Sequence, residues 1–194
     1  MSISIDRFSG LIVVDVQNDF LPGGSLAVLR GDEVVPLLNR YLAAFAAKSL
    51  PIYATRDWHP VNHCSFKARG GPWPPHCVAD SVGAQFAPGL KLPPQTTVIS
   101  KADTPDKDAY SGFEGPDLDR RLHAQGVRRV FVGGLATDYC VLNTVRDARR
   151  LGYETFLLTD AVRAVNVNPD DGRNAEAEMR RLGARPCTLA QLAA

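Results

Sequence analysis

The sequence predicts an α/β fold: a single-domain, three-layer α/β/α sandwich around a mainly parallel, doubly wound sheet. Three observations carry this. Short apolar runs rich in β-branched residues, such as Leu11–Val16, read as strands covered on both faces. Helical stretches alternate with them. Glycines stand where those helices should stop, at Gly126, Gly152 and Gly183. Strands alternating with helices need crossover connections, which give a parallel sheet with helices on both faces.

In chain order, Leu11–Val16 is the first strand. Asp32 caps a helix running to about Lys48, with Leu37, Leu38, Tyr41, Leu42 and Phe45 on one face and Pro36 tolerated near its first turn. Pro51–Thr55 is the second strand. Arg56 to about Gln95 is rich in Pro, Gly, His and Trp, and an irregular stretch of that length inside a domain is functional or disordered. Its aromatics and histidines argue against disorder. Thr97–Lys101 is the third strand, Pro116–Gln125 a helix, and Arg129–Gly133 the fourth strand. A helix from about Asp138 to Leu151, a fifth strand Tyr153–Leu158, a helix Asp170–Leu182 and a short last strand Arg185–Leu189 complete the chain.

The 194 residues suit one domain spanning 1–194, with no repeat, low-complexity segment or linker to divide it. A formal net charge of +1 gives no reason to expect nucleic acid or a membrane surface as partner. Met1 to Phe8 lacks the apolar core of a signal peptide, and no apolar run reaches the length of a membrane span. Cys64, Cys77, Cys140 and Cys187 form no CxxC pair, so a disulfide framework is not expected and a reducing cytoplasm is. The composition permits a monomer or a homo-oligomer.

Ligands of such sheets sit beyond the carboxyl ends of the strands. Asp15 closes the first strand, Asp57 follows the second, Lys101 ends the third and Cys140 follows the fourth. Each alone has an ordinary explanation. Asp15 can bond the amides of the following turn, Lys101 can be a solvated strand end, and Cys140 can be a small buried hydrophobe. An acid, a lysine and a thiol at equivalent strand ends favour catalysis together. A cysteine at the start of a helix is favoured as thiolate by free amides and the helix dipole. Asp15 can take its proton, and Lys101 can hold the thiolate or a developing oxyanion. The Gly133–Ala136 turn leaves amides that can donate to that oxyanion together with the amide of Cys140.

Three of the four histidines fall between residues 59 and 76. Asp57 and His59 are two apart, so in an extended segment both point to one side. His76 adds an imidazole from the rigid Trp73-Pro-Pro-His76 turn. Two histidines and a carboxylate suit Zn²⁺, Fe²⁺ or Mn²⁺ with open positions. A structural zinc site using Cys64 and Cys77 is the rival, although the spacing is not that of a finger or ribbon. His63 reads as a loop residue bonded to backbone, and His123 as a surface residue.

Five motifs together resemble one family: Asp15-Val-Gln-Asn-Asp-Phe20, Arg56-Asp-Trp-His-Pro60, Trp73-Pro-Pro-His-Cys77, Tyr110-Ser-Gly-Phe-Glu114 and Gly134-Leu-Ala-Thr-Asp-Tyr-Cys140. They are similar to the isochorismatase-like cysteine hydrolases, and the two histidine motifs to the nicotinamidase and pyrazinamidase branch. The resemblance implies a Cys140–Asp15–Lys101 triad and one divalent metal ion, zinc first among candidates, on Asp57, His59 and His76. Some members have a further histidine ligand; the matching position is nearest Ser65, acting weakly or through water, with His63 the lesser candidate. The resemblance further implies a cis peptide before Ala136, an oxyanion hole from the amides of Ala136 and Cys140, and a ring pocket of Phe20, Leu26, Trp73 and Tyr110. Phe20 and Trp73 suit a core equally well. The implied reaction converts nicotinamide and water to nicotinate and ammonia through a thioester, in NAD salvage, with pyrazinamide as a further substrate. Two alternatives stand beside it: an amidase of the same superfamily acting on a carbamoyl or ureido compound, and a metal-stabilised binding module without turnover.

Overall fold

A computed structural model describes residues 2–115 and 117–193. The chain enters through a two-residue strand, β1 (Ile3–Ser4), and then β2 (Ser9–Val14), whose six residues are all buried. Helix α1 (Val34–Ala47) leads to β3 (Ile52–Asp57) and, after a long irregular segment, to β4 (Thr97–Lys101). Helix α2 (Asp117–Ala124), β5 (Arg129–Leu135), α3 (Leu142–Arg150), β6 (Glu154–Arg163), α4 (Asp171–Arg181), β7 (Arg185–Cys187) and β8 (Leu192–Ala193) follow. β8 pairs with β1 as a small separate ribbon. Among the described residues no helix is long and apolar enough to cross a membrane.

The other six strands form one sheet in the order β4-β3-β2-β5-β6-β7, every neighbouring pair parallel. From β2 the chain winds outward through β3 to β4, then returns beside β2 with β5 and winds outward the other way. The reversal lies between β2 and β5, where a crevice opens at the carboxyl ends. Alternation along β2 separates two cores. Leu11 and Val13 pack with Leu38, Tyr41 and Phe45 of α1, while Ile12 and Val14 face Leu118 of α2, Val145 of α3 and Met179 of α4. This is the three-layer, doubly wound arrangement expected.

Several boundaries differ from the sequence reading. β2 stops at Val14, because Asp15 turns to a left-handed φ of 48°. α1 starts at Val34 behind a 3-10 turn over Gly31–Glu33, so Asp32 is not its cap, and Pro36 falls in the first turn, where no amide is needed. The helix start expected at Pro116 lies outside the described residues; the described helix begins at Asp117. β6 continues to Arg163 and β7 ends at Cys187. Gly133–Leu135 is strand rather than turn. It runs so close to β2 that a Cβ on Gly134, whose φ is 124°, would sit 2.1 Å from the Val14 carbonyl oxygen. Glycine there lets β5 stay paired with β2 up to the carboxyl end of the sheet.

Phe131 of β5 stacks on Phe156 with ring centres 4.5 Å apart and meets Phe45 edge-on at 5.4 Å. Phe131→Ala is expected to cost about 3–5 kcal/mol, because two rings lose a common partner. A urea denaturation midpoint equal to that of the parent would refute this.

Candidate active site

Lys101 is the centre of the crevice. Asp57 and Lys101 are paired residues at the ends of β3 and β4, so their side chains leave the same face. The Lys101 ammonium, 4% exposed, donates to Asp57 Oδ1 and to the Ala109 carbonyl at 3.2 Å. It also lies 2.9 Å from Asp15 Oδ2 and 3.5 Å from Cys140 Sγ. Asp15, fully buried, accepts from the Thr55 hydroxyl at 2.7 Å through Oδ1, while Oδ2 receives no well-directed hydrogen bond. That oxygen keeps acceptor capacity, and Asp15, Asp57 and Cys140 each offer an atom within 4.8 Å of the others. The structure therefore brings together the acid, lysine and thiol that the strand ends suggested.

Cys140 lies in a π-turn, Thr137–Val141, directly ahead of α3. The Leu135–Ala136 peptide is cis, as the resemblance implied. The Ala136 carbonyl accepts from the amides of Tyr139 and Val141, and among the described residues its own amide has no acceptor. The electrostatics differ from those of a thiol activated by a helix end alone. Burial pushes the Cys140 thiol well above its usual range; Lys101 opposes this, and Asp15 and Asp57 reinforce it. Burial likewise raises the Asp15 carboxyl, against the pull of Lys101. Lys101 is held charged by the two carboxylates despite its burial. The resting site thus holds a neutral thiol beside a carboxylate of increased basicity.

Asp57, His59 and His76 form a second, adjoining cluster, all buried and with ligand atoms within 4.8 Å. His59 Nε2 stands 3.7 Å from Asp57 Oδ2. Nδ1 of His59 lies 3.1 Å from the Ala102 carbonyl, and Nδ1 of His76 lies 2.8 Å from the Pro74 carbonyl. A carbonyl can only accept, so both Nδ1 atoms carry the proton and both Nε2 lone pairs remain for a ligand. Burial, then His76 and His63, push His59 down to about 3, which keeps it in the ligating form. Pairing of the backbone at His59 and Cys77 draws the two histidines together across the irregular segment. Two imidazoles and a carboxylate fit a divalent metal ion of the zinc, iron or manganese type.

His63 is occupied otherwise. Its Nε2 faces the Lys107 carbonyl at 3.1 Å and its Nδ1 the Ser65 hydroxyl at 2.7 Å, while its ring stacks on His59 at 4.2 Å. Its bond to the Lys107 carbonyl makes it the backbone-bonded loop residue that its sequence context suggested. The Ser65 hydroxyl donates to it, and the oxygen keeps its own lone pairs. Cys64 is half-buried and Cys77 buried; neither joins the metal cluster. His123, on α2, accepts or donates at Tyr153 and Asp119, far from this edge.

Cys140 and, from the second cluster, Asp57 and His76 line one pocket. Phe20, Leu26, Trp73 and Tyr110 line it, together with Ala136. Trp73 Nε1 donates to the Tyr110 hydroxyl at 3.1 Å. Sequence reasoning missed two lining residues, Tyr139 and Val165. Tyr139 meets Trp73 edge-on at 5.1 Å and its position beside Cys140 was a signal. Val165, in the loop after β6, carried none. Phe66 was missed as well: fully buried, it touches the rings of His59, His63 and His76 and fixes their orientation.

Residues 9–191 match the model of the isochorismatase domain. The nicotinamidase of Escherichia coli (strain K12) is 39% identical over 93% of this chain and 94% of its own. A pyrazinamidase of Pyrococcus horikoshii, solved in complex with zinc, superposes with a TM-score of 0.90 at 49% identity, covering 94% of this chain and 99% of that one. PnC1 of L. infantum, solved in complex with nicotinate, superposes with a TM-score of 0.92 at 39% identity, covering 100% and 99%.

Removing the central cation leaves two buried carboxylates facing each other. In chelator-treated protein, Lys101→Met is expected to lose about 3–5 kcal/mol of stability, the usual cost of stripping one partner from a buried ion pair. Equal urea midpoints for the variant and its parent would show that the charges are not coupled as described.

Proposed function

We propose, because the chain belongs to the isochorismatase family, that it is a cysteine amidohydrolase converting nicotinamide and water to nicotinate and ammonia. The observation that carries this is the joining of a thiol–carboxylate–lysine cluster and a His-His-Asp cluster in one aromatic pocket. An amide on a flat nitrogen heterocycle suits both ends of that pocket. Pyrazinamide has the same shape and is a second substrate in this reading. The product would enter pyridine nucleotide salvage, and a free thiol nucleophile suits the reducing cytoplasm. The whole length 1–194 serves as one catalytic domain, with the segment of about 56–95 forming the metal-binding loop.

In this mechanism Asp15 accepts the thiol proton as Cys140 Sγ bonds to the carboxamide carbon. The carbonyl electron pair moves to oxygen, where the amides of Ala136 and Cys140 donate to it. Because the free thiol is a weak acid here, proton transfer and attack belong to one event. The proton then passes from Asp15 to the amide nitrogen, the C–N bond breaks and ammonia leaves a thioester. Asp15 next takes a proton from water as that water attacks. Sγ departs, recovers a proton, and the acid is released. Lys101 keeps Asp15 and Cys140 in register throughout. Asp57, His59 and His76 would hold the divalent ion, zinc first, which when bound supplies a Lewis-acid anchor for a ring nitrogen. Ser65, through water, is proposed to complete that shell. Phe20, Leu26, Trp73 and Tyr110 hold the ring faces, so that the carbonyl carbon meets the thiol.

The alternative amidases need the triad but have no use for the histidine loop, so the buried, correctly tautomeric His59 and His76 favour the pyridine carboxamide. A coupled ammonia assay with nicotinamide, with and without chelator, is the decisive test. Metal-dependent ammonia release is expected. Turnover of ureido or carbamoyl compounds alone would favour the other amidases, and stoichiometric binding without ammonia a binding module.

Cys140→Ala should abolish ammonia release while ligand still binds by calorimetry; residual activity at the parent level would remove Cys140 from the mechanism. Asp57→Ala and His76→Ala should each lose most of the bound metal by elemental analysis. Metal content equal to the parent's would place the ion elsewhere.

A further inference from the structure

One wall of the pocket has no element of its own. Val165 belongs to the connection between β6 and α4, and loops of this kind are mobile unless something ties them down. The tie is Asp138. Its Oδ1 accepts the Val165 amide at 2.9 Å and its Oδ2 accepts the Asn166 amide at 2.8 Å, so one carboxylate clamps two successive amides. Asn166 takes a left-handed φ of 53°, and its side-chain oxygen in turn accepts the Gly172 amide at 2.8 Å, at the start of α4. Gly172 is itself closed in, since a Cβ there would stand 2.6 Å from the Ala164 Cβ. The connection is thus pinned at both ends, and one pin is a residue of the π-turn that carries the nucleophile. Asp138, Tyr139 and Cys140 are consecutive: clamp, opposing aromatic wall and thiol.

We infer that Asp138 is a positioning residue that fixes the Val165 wall against the nucleophile turn, and so sets the largest ring substituent the pocket accepts. Asp138 touches neither the reacting atoms nor the metal cluster. Its two amide bonds set the distance between Val165 and the Tyr139–Cys140 segment. With the clamp intact, the pocket takes an unsubstituted six-membered azine carboxamide and rejects ring-methylated ones. With the clamp or the valine removed, the wall recedes by about one methyl group. Selectivity then relaxes without change in the chemistry at sulfur. The inference rests on the amide-hydrolysis reading above.

The test compares kcat/KM for nicotinamide and for a panel of ring-methylated nicotinamides, by ammonia release from the metal-loaded enzyme. Val165→Ala is expected to raise the preference for at least one methylated substrate by about 10-fold or more, the scale at which one methyl group discriminates in an apolar pocket. Asp138→Ala should relax selectivity for that same substrate. Asp138→Asn, which keeps one acceptor oxygen, should fall between it and the parent. The double variant should show no further relaxation, because clamp and wall act as one unit. Relaxation in Val165→Ala but not in Asp138→Ala would overturn the clamp. Equal loss of activity on every substrate in Asp138→Ala would do the same, as a structural role predicts that result. If Asp138→Ala does not fold, Asp138→Asn and Val165→Ala decide alone: unchanged selectivity in both refutes the inference. Absence of ammonia from the parent enzyme would instead refute the underlying reading.

Discussion

A lysine ammonium with almost no access to water is the constraint on which the active edge depends. Lys101 gives up its hydration to reach the centre of the crevice, and only close carboxylates can replace it. Two are present, Asp15 and Asp57, delivered by neighbouring strands. Their combined charge exceeds that of the lysine, so the cluster carries a surplus negative charge on ionisation of both. Burial first, and then that surplus, keep Cys140 protonated although an ammonium lies 3.5 Å from it. The surplus also explains why the remaining face of Asp57 suits a cation. One carboxylate oxygen meets the lysine, and the other turns toward His59. Asp57 therefore belongs to two clusters at once, and the proposed nucleophile and metal site cannot be built independently.

The same constraint orders the chemistry. A thiolate preformed by a helix terminus would need a positive environment in sum, and this pocket lacks one. The single π-helical turn places Cys140 ahead of α3, where the dipole is available. Burial and two carboxylates outweigh it. What the site offers instead is a base whose acidity has been lowered by the same burial, within reach of the thiol. In the proposed mechanism, a protonated thiol beside a carboxylate of raised proton affinity lets the proton move with the nucleophile rather than before it. In the proposed mechanism the helix terminus matters less for making the thiolate than for receiving the charge that develops on the carbonyl oxygen.

Much of this was legible from residue type and position alone. Asp15, Lys101 and Cys140 stand out because an acid, a lysine and a thiol fall together at strand ends of a doubly wound sheet, where ligands sit. Asp57 and His59 are linked by the two-residue period of an extended chain. The union of His59 with His76 was less accessible, since it depends on a backbone pairing across seventeen intervening positions of irregular chain. Phe66 and Val165 were not legible: an aromatic in a loop and a valine in a connection acquire roles only through tertiary contacts. Gly133–Leu135 misled for a physical reason. Glycines usually signal a turn, but here they let one strand lie against another at a distance no side chain permits.

The long irregular segment stays ordered because the stretch 15–20 supplies the partners that its backbone lacks. Buried polar backbone outside regular structure must be bonded to something. Gln17, fully buried, accepts the Asp57 amide and donates to the Asp57 and Ala84 carbonyls, each within 2.9 Å. Asp19 accepts the Cys77 amide at 2.7 Å, next to His76, and the Ser25 amide at 3.2 Å, next to Leu26. Phe20 packs its ring against His76 at 5.7 Å. Four of these six residues thus provide the proposed base, the brace of the shared carboxylate, the brace of the second histidine and part of the pocket wall. Changes at Gln17 or Asp19 touch no reacting atom. They would nevertheless move both clusters together, because each braces backbone beside a residue that ligand or proton must meet.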